Sequence, residues 1–161
     1  MKTCSVCAET KPLTDFYGPY ARQTVTTCKS CVPIRNKRLI RLAFDRDPVE
    51  FRVKRMWHQA KSRAKHRDVD FSLTKDHIRD AFNVAGDHCP SCGVQFIIKS
   101  LSMASRKHAP SLDRIIPEKG YIPENIIIIC GHCNTQKGGM NLKEARYFLK
   151  IMEEAAARDM S

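Results

Sequence analysis

Between residues 49 and 64 apolar side chains recur at helical spacing. Val49, Val53, Met56, Trp57, Ala60 and Ala64 form one stripe. Asp47-Pro48 precedes it and predicts the helix start, with Asp47 as N-cap and proline at the first helical position. The alternating segment VDFSL (69–73) predicts a short strand. Thr74 then caps a helix reaching about Val84, with Ile78, Ala81 and Phe82 inward and Gly86 as its stop. Two apolar runs, PSLDRI and NIIIIC, flank the turn IPEKGY and predict a β-hairpin whose turn uses Gly120. NTQKGG reads as a short helix that starts on a cysteine knuckle and ends at Gly138. Asn141 and Glu144 form a capping-box pattern ahead of an amphipathic helix carrying Leu142, Ala145, Phe148, Leu149 and Met152. Residues 97–106 read as a loop or irregular hairpin. The pattern as a whole predicts a small α+β fold.

Eight cysteines change that picture. They fall into four pairs of one spacing, Cys4/Cys7, Cys28/Cys31, Cys89/Cys92 and Cys130/Cys133, with none left over. A C-x-x-C pair puts two thiolates on one tight turn, a bite that suits tetrahedral zinc and suits an internal disulfide poorly. Two pairs complete one closed site, so the chain is expected to hold two structural Zn²⁺. Residues 1–33 then read as a zinc ribbon. With few large apolar side chains, that unit depends on its metal for folding. Residues 34–86 form a basic helical region, and residues 87–161 a second zinc-stabilised domain.

Charge narrows the partners. The 161 residues carry a formal net charge of +11 and a pI near 9.5, so a polyanion is the first partner to consider. From Ile34 to Asp68 there are twelve Lys/Arg against four Asp/Glu, where a merely solvated helix mixes both signs. Arg52, Lys54, Arg55, Lys61, Arg63 and Lys65 lie mostly off the apolar stripe and form a candidate phosphate-binding face, joined by Lys137 near the second knuckle. Aromatic residues among these cations are sparse, which favours backbone recognition of duplex or branched DNA over a stacking platform for single strands. No run of eighteen apolar residues and no signal-peptide core is present. The expectation is an intracellular chain that does not engage a membrane.

Between Cys92 and Cys130 lie thirty-seven residues, including Asp113 on an apolar run and then Asn125, and Asn134 comes directly after the last cysteine. N-x8-N joined to C-x-x-C-N, with K-G beyond, resembles the ββα-metal (HNH) endonuclease superfamily. The similarity is greatest to phage-type four-cysteine proteins of the recombination endonuclease VII kind, and it covers about residues 87–149. The segment with two C-x-x-C pairs around KPLTDFY resembles the zinc ribbon often found ahead of such domains. The resemblance implies a metal-dependent DNA endonuclease. Asp113 and Asn134 would hold a catalytic Mg²⁺ or Mn²⁺, and Asn125 would brace the hairpin loop. A phage or mobile-element origin, and hence the cytoplasm of a bacterial host, follows from the resemblance alone. So does a homodimer, for which the Trp57 stripe is a candidate seam.

One position departs from the family. Arg114 follows Asp113 where the motif has the histidine that activates water, and a guanidinium stays protonated at working pH. Arg114 can grip a phosphate and stabilise developing charge, but a base must come from elsewhere. His108, His132 and Tyr121 are the candidates; an unperturbed imidazole suits the role in general, whereas a phenol requires strong activation. The alternative is a non-cleaving nucleic-acid-binding protein on the same scaffold. It has no need of an acidic residue facing phosphate unless a cation sits between them. A zinc-stapled interaction adaptor would leave the charge unexplained.

Overall fold

The computed structural model describes residues 1–18 and 25–159. In the last helix the side chains of Leu142, Phe148, Met152 and residues 154–159 lie outside the described set, as does the ribbon loop at 19–24. The fold is α+β, with two small two-stranded sheets and two four-cysteine clusters. The chain divides into two compact units, Met1–Pro48 and Val49–Ser161.

In the first unit, strands β1 (Lys2–Thr3) and β2 (Thr10–Lys11) pair antiparallel around the first knuckle. The turn is closed by Cys4 N donating to Glu9 O at 2.9 Å and Ala8 N donating to Cys4 O at 3.0 Å. Cys4, Cys28, Cys31 and Phe16 form its small core. The second knuckle leads directly into helix α1 (Val32–Arg46), whose first turn takes Pro33 because no intrahelical donor is needed there. α1 ends at Asp47, which is extended, as the residue before a proline prefers.

The second unit opens with α2 (Pro48–Arg67). Val53, Met56, Ala60 and Ala64 are buried in this unit's own core, and Trp57 packs partly against it, donating from Nε1 to Leu73 O at 2.7 Å. Four of the six stripe residues are therefore buried within the unit while Val49 stays exposed, so the stripe does not present a continuous apolar seam to a second copy. VDFSL does not form the expected strand. Two backbone hydrogen bonds tie Asp70 and Ser72 to Tyr121, leaving one parallel bridge at Phe71. Helix α3 (Lys75–Ala85) carries a reciprocal cap between Thr74 and His77, with Ile78 and Phe82 buried and Gly86 at its end.

A second knuckle turn, with Gly93 N donating to Cys89 O, leads to an irregular stretch and a 3-10 turn at Ala104–Lys107. Strands β3 (Pro110–Arg114) and β4 (Ile126–Cys130) then pair antiparallel from Pro110↔Cys130 to Arg114↔Ile126. Short helix α4 (Gly131–Lys137) leaves β4 at the cysteine cluster and packs across β3, ending at Gly138 with φ 56°. α5 (Leu142–Asp159) starts from the Asn141/Glu144 capping box, with both reciprocal bonds formed. Among the described residues no helix is long and apolar enough to cross a membrane.

Gly120 fixes the hairpin loop against the rest of the unit. Its φ is +71°, and a Cβ there would collide with the backbone oxygen and nitrogen of Asp70. Gly120→Ala is expected to cost ~2–4 kcal/mol, from a strained φ plus overpacking against backbone, read as a lower urea midpoint with an unchanged slope.

Candidate active site and zinc centres

Strand alternation decides which side chains the hairpin offers to α4. Ser111 and Asp113 share one face with their cross-strand partners Ile129 and Ile127, while Leu112 and Arg114 face the opposite way with Ile128 and Ile126. Helix α4 lies over the Ser111–Asp113 face. Asn134 Nδ2 donates to Ser111 Oγ at 2.7 Å and to Leu112 O at 3.2 Å. Only an amide nitrogen can donate to that carbonyl, so Asn134 Oδ1 is the atom left free to accept or to ligate.

One turn further along α4, Lys137 Nζ donates to Arg114 O at 2.6 Å and stands 2.8 Å from Asp113 Oδ2. Asp113 is buried, and its Oδ2 has no directed hydrogen bond. The Lys137 contact is thus close in charge but poorly aimed: an ion pair rather than a hydrogen bond. A buried carboxylate oxygen with an ammonium beside it, and a free amide oxygen on the same helix face, make a hard donor set. It fits a divalent cation that takes one or two protein oxygens and keeps waters or phosphate oxygens for the rest.

Arg114 is elsewhere. Its guanidinium is buried on the opposite face, with Nη1 2.5 Å from Pro117 O and its centre 5.0 Å from the middle of the Tyr121 ring. Tyr121 is itself buried, with its ring tilted at 54° to that of Phe71 and centroids 6.5 Å apart. Both brace the loop between the strands. Asn125 completes that brace: its Oδ1 accepts from Ile116 N, and its Nδ2 donates to Ile116 O and Gly120 O, each at 2.8 Å. Neither Arg114 nor Tyr121 is brought to the Asp113–Asn134 face.

The histidines are not brought there either. His132 is exposed, and at two residues from Asn134 it projects from the outer side of α4. His108 is exposed just after the 3-10 turn, and Gly131 N donates to the neighbouring Ala109 O at 2.9 Å. That places His108 at the cysteine end of the hairpin. Asp113 lies three residues along β3 from Pro110, about 10 Å further on. Ser111 escaped the sequence reading; pairing of Asp113 with a lysine was one reading of the sequence, but not that the lysine is Lys137 or that the aspartate is buried. The period of two from Asp113, and the i,i+3 step from Asn134, were the available signals.

Both cysteine clusters fit zinc. In each, the four sulfurs lie within 4.8 Å of one another. Cys92 Sγ and Cys130 Sγ are 3.8 Å apart, too far for a disulfide and close to the edge of about 3.8 Å in a tetrahedron with Zn–S near 2.3 Å. Amides point at the sulfurs, as from Cys28 N and Val6 N to Cys4 Sγ, both 3.4 Å, and from Cys130 N to Cys89 Sγ at 3.2 Å. The Cys28 and Cys7 amides draw the Cys4 thiol down to about 6. At Cys89 burial opposes ionisation, but the amides of Cys130, Cys92 and Ser91 outweigh it and the thiol falls to about 6. Cys31 is pushed up to about 12 by the Cys28 thiol and burial, and Cys133 to about 12 chiefly by burial. Each cluster pairs a readily ionised thiol with one that ionises only once a cation arrives.

The basic face of α2 is divided in use. Arg52 donates to the carbonyls of Ile97, Ile98 and Ser100, so it ties a loop down. Lys54 pairs with Glu50 at 3.4 Å, and Lys61 sits over the Trp57 ring at 5.1 Å. Arg55, Arg63 and Lys65 are exposed, with no ion pair among the described residues.

No protein-family model matches the chain. In sequence it is similar to an uncharacterized protein, R423, of Acanthamoeba polyphaga mimivirus, with 26% identity over 107 residues. The match takes in 65% of this chain and 18% of that protein, so the chain spans less than a fifth of the relative's length. Among solved structures it overlaps the rare-cutting HNH restriction endonuclease PacI, with 17% identity, a TM-score of 0.43, and coverage of 96% of this chain and 95% of that one. At that degree of overlap the site rests on its own geometry.

Arg114→Ala separates a phosphate grip from a loop brace. Truncation strands the Pro117 carbonyl and the Tyr121 ring face, so the variant should lose ~2–3 kcal/mol in urea unfolding. Any activity should fall only as the folded fraction falls.

Proposed function

We propose that the chain is a metal-dependent endonuclease of the ββα-metal (HNH) kind that hydrolyses phosphodiester bonds in DNA. The observation that carries the reading is a buried, incompletely satisfied Asp113 carboxylate on the hairpin face crossed by a cysteine-anchored helix that also carries Asn134, whose amide oxygen is left free. Asp113 and Asn134 would hold Mg²⁺ or Mn²⁺, which supplies polarisation of the scissile phosphate and of the departing oxygen when bound. Lys137, freed from Asp113 by that exchange, would turn its ammonium to the phosphate oxygens. Ser111 and the Leu112 carbonyl fix the Asn134 amide so that its oxygen, not its nitrogen, faces the site. Arg114 and Asn125 keep the hairpin loop closed. Of the three candidate bases, His108 retains an exposed imidazole beside the first turn of α4 and must move to reach the site. Zn²⁺ in both clusters is structural in this reading.

A second reading has one observation behind it. Lys137 already supplies a cation to Asp113, so the carboxylate need not repel a bound phosphate even without metal. That favours a non-cleaving binder on the same scaffold.

Zinc-loaded protein on supercoiled plasmid distinguishes the two. The endonuclease reading expects nicking with Mg²⁺ or Mn²⁺, none without divalent cation, and a loss of at least ~100-fold in Asp113→Ala. His108→Ala should reduce the rate more than His132→Ala. A protein that shifts the plasmid but never nicks it, and whose binding weakens in Lys137→Met, would be the binder instead.

A further inference from the structure

A second feature of the Val49–Ser161 unit is untouched by this chemistry. A cavity of about 300 Å³ opens between α2 and the segment from Ser100 to Leu112. Its walls carry the guanidinium-bearing residues Arg55 and Arg63 from α2 and Arg106 from the 3-10 turn, with Ser100 and Ser102 between them. Among the described residues no carboxylate lines it. None of these three arginines has an ion pair among the described residues, and all three are exposed.

The wall opposite α2 is held in place. Arg52 donates to Ile98 O at 3.0 and 2.9 Å and to Ser100 O at 2.7 Å, which clamps the loop to the helix. Ser105 is buried and donates to Ser102 O at 2.8 Å, which ties the turn to the same loop. Burial lowers the Arg52 pKa from its ordinary value, and the neighbouring positive charge of Arg55 lowers it further. Arg55, Arg63 and Arg106 thus concentrate positive charge on a preformed cleft, which raises the local concentration of an anionic ligand there.

From the absence of any carboxylate, the three unpaired arginines and the fixed loop wall, the geometry points to a binding cleft for the phosphates of a nucleic-acid strand. Arg55 and Arg63 are eight residues apart on one helix, about 12 Å along its axis. That is longer than a single phosphate group and comparable with a few nucleotides of strand. The cleft lining includes Ser111, whose hydroxyl receives the Asn134 amide, together with Leu112 and Tyr121 from the other face of the hairpin. A strand lying in the cleft therefore passes, at Ser111, within one hydrogen bond of Asn134. The inference deepens the endonuclease reading and rests on it for the direction of the strand. The cleft itself serves a non-cleaving binder equally.

The test is binding of a short DNA duplex to zinc-loaded full-length chain without added divalent cation, measured by fluorescence anisotropy across a salt series. Arg55→Ala, Arg63→Ala and Arg106→Ala combined should weaken binding roughly 10- to 100-fold and flatten the log Kd against log salt slope by about three. Lys107→Ala, an exposed cation beside Arg106 that does not line the cleft, is the control and should change the slope by no more than about one. The corresponding triple lysine variant keeps the charge and should keep most of the slope, which separates electrostatics from any loss of packing. A triple alanine variant that retains zinc and matches Lys107→Ala in affinity and slope overturns the proposal. So does inorganic phosphate stabilising wild type but not the triple variant while duplex binding is the same in both, which would assign the cleft to a free anion. Failure to nick plasmid, with the slope change intact, would sink the endonuclease reading alone.

Discussion

Everything at the candidate site depends on four sulfurs brought together from distant parts of the chain. Cys89 and Cys92 lie on a turn after α3, and Cys130 and Cys133 sit where β4 becomes α4. Without that tie a hairpin of two five-residue strands and a seven-residue helix have little of their own to hold them, since isolated two-stranded hairpins and single short helices are marginal in water. The cluster is continuous with the hydrophobic core. Cys89 and Cys130 are buried beside Ile128, Leu112 and Phe82, so metal affinity and core packing reinforce one another. The Cys130 side chain also accepts from Cys133 N at the start of α4. One residue thereby ends the strand, caps the helix and offers a metal ligand.

Once the helix is anchored, alternation along β3 sorts the chemistry. Asp113 and Arg114 are adjacent in sequence but face opposite sides of the hairpin. The side covered by α4 gets an incompletely satisfied carboxylate, a free amide oxygen and a lysine. The other side gets an arginine spent on Pro117 and Tyr121. A strand aspartate facing a helix lysine would ordinarily be a closed ion pair. Here the lysine also donates to the Arg114 carbonyl, so its hold on Asp113 is shared and off-axis. A lysine held in that way can be displaced at modest cost by a doubly charged ion.

The sequence made the metal clusters, the hairpin, the α4 stop at Gly138 and the caps of α3 and α5 legible, because each depends on residue types at fixed local spacings. VDFSL was misread as a strand. Its alternation is real, but its sheet-like pairing stops at the bonds of Asp70 and Ser72 to Tyr121, Val69 N turns back to Ala64 O, and among the described residues nothing extends the bridge. Charge on α2 was legible as a total and not as a function. Arg52 was indistinguishable from Arg55 in sequence, yet one is a strut for the 97–100 loop and the other lines an open cleft. Side-chain partners fifty residues away leave no local trace, and neither did the stacking of Arg114 on Tyr121.

The central claim is that Asp113 and Asn134 seat a hard divalent cation in exchange for Lys137. Titration of Mn²⁺ into zinc-loaded protein, followed by electron paramagnetic resonance in the absence of DNA, tests it most directly. The account predicts one bound Mn²⁺ per chain, lost in Asp113→Asn, weakened in Asn134→Ala and tighter in Lys137→Met. Mn²⁺ binding that ignores Asp113, or no bound Mn²⁺ even in Lys137→Met, would contradict it.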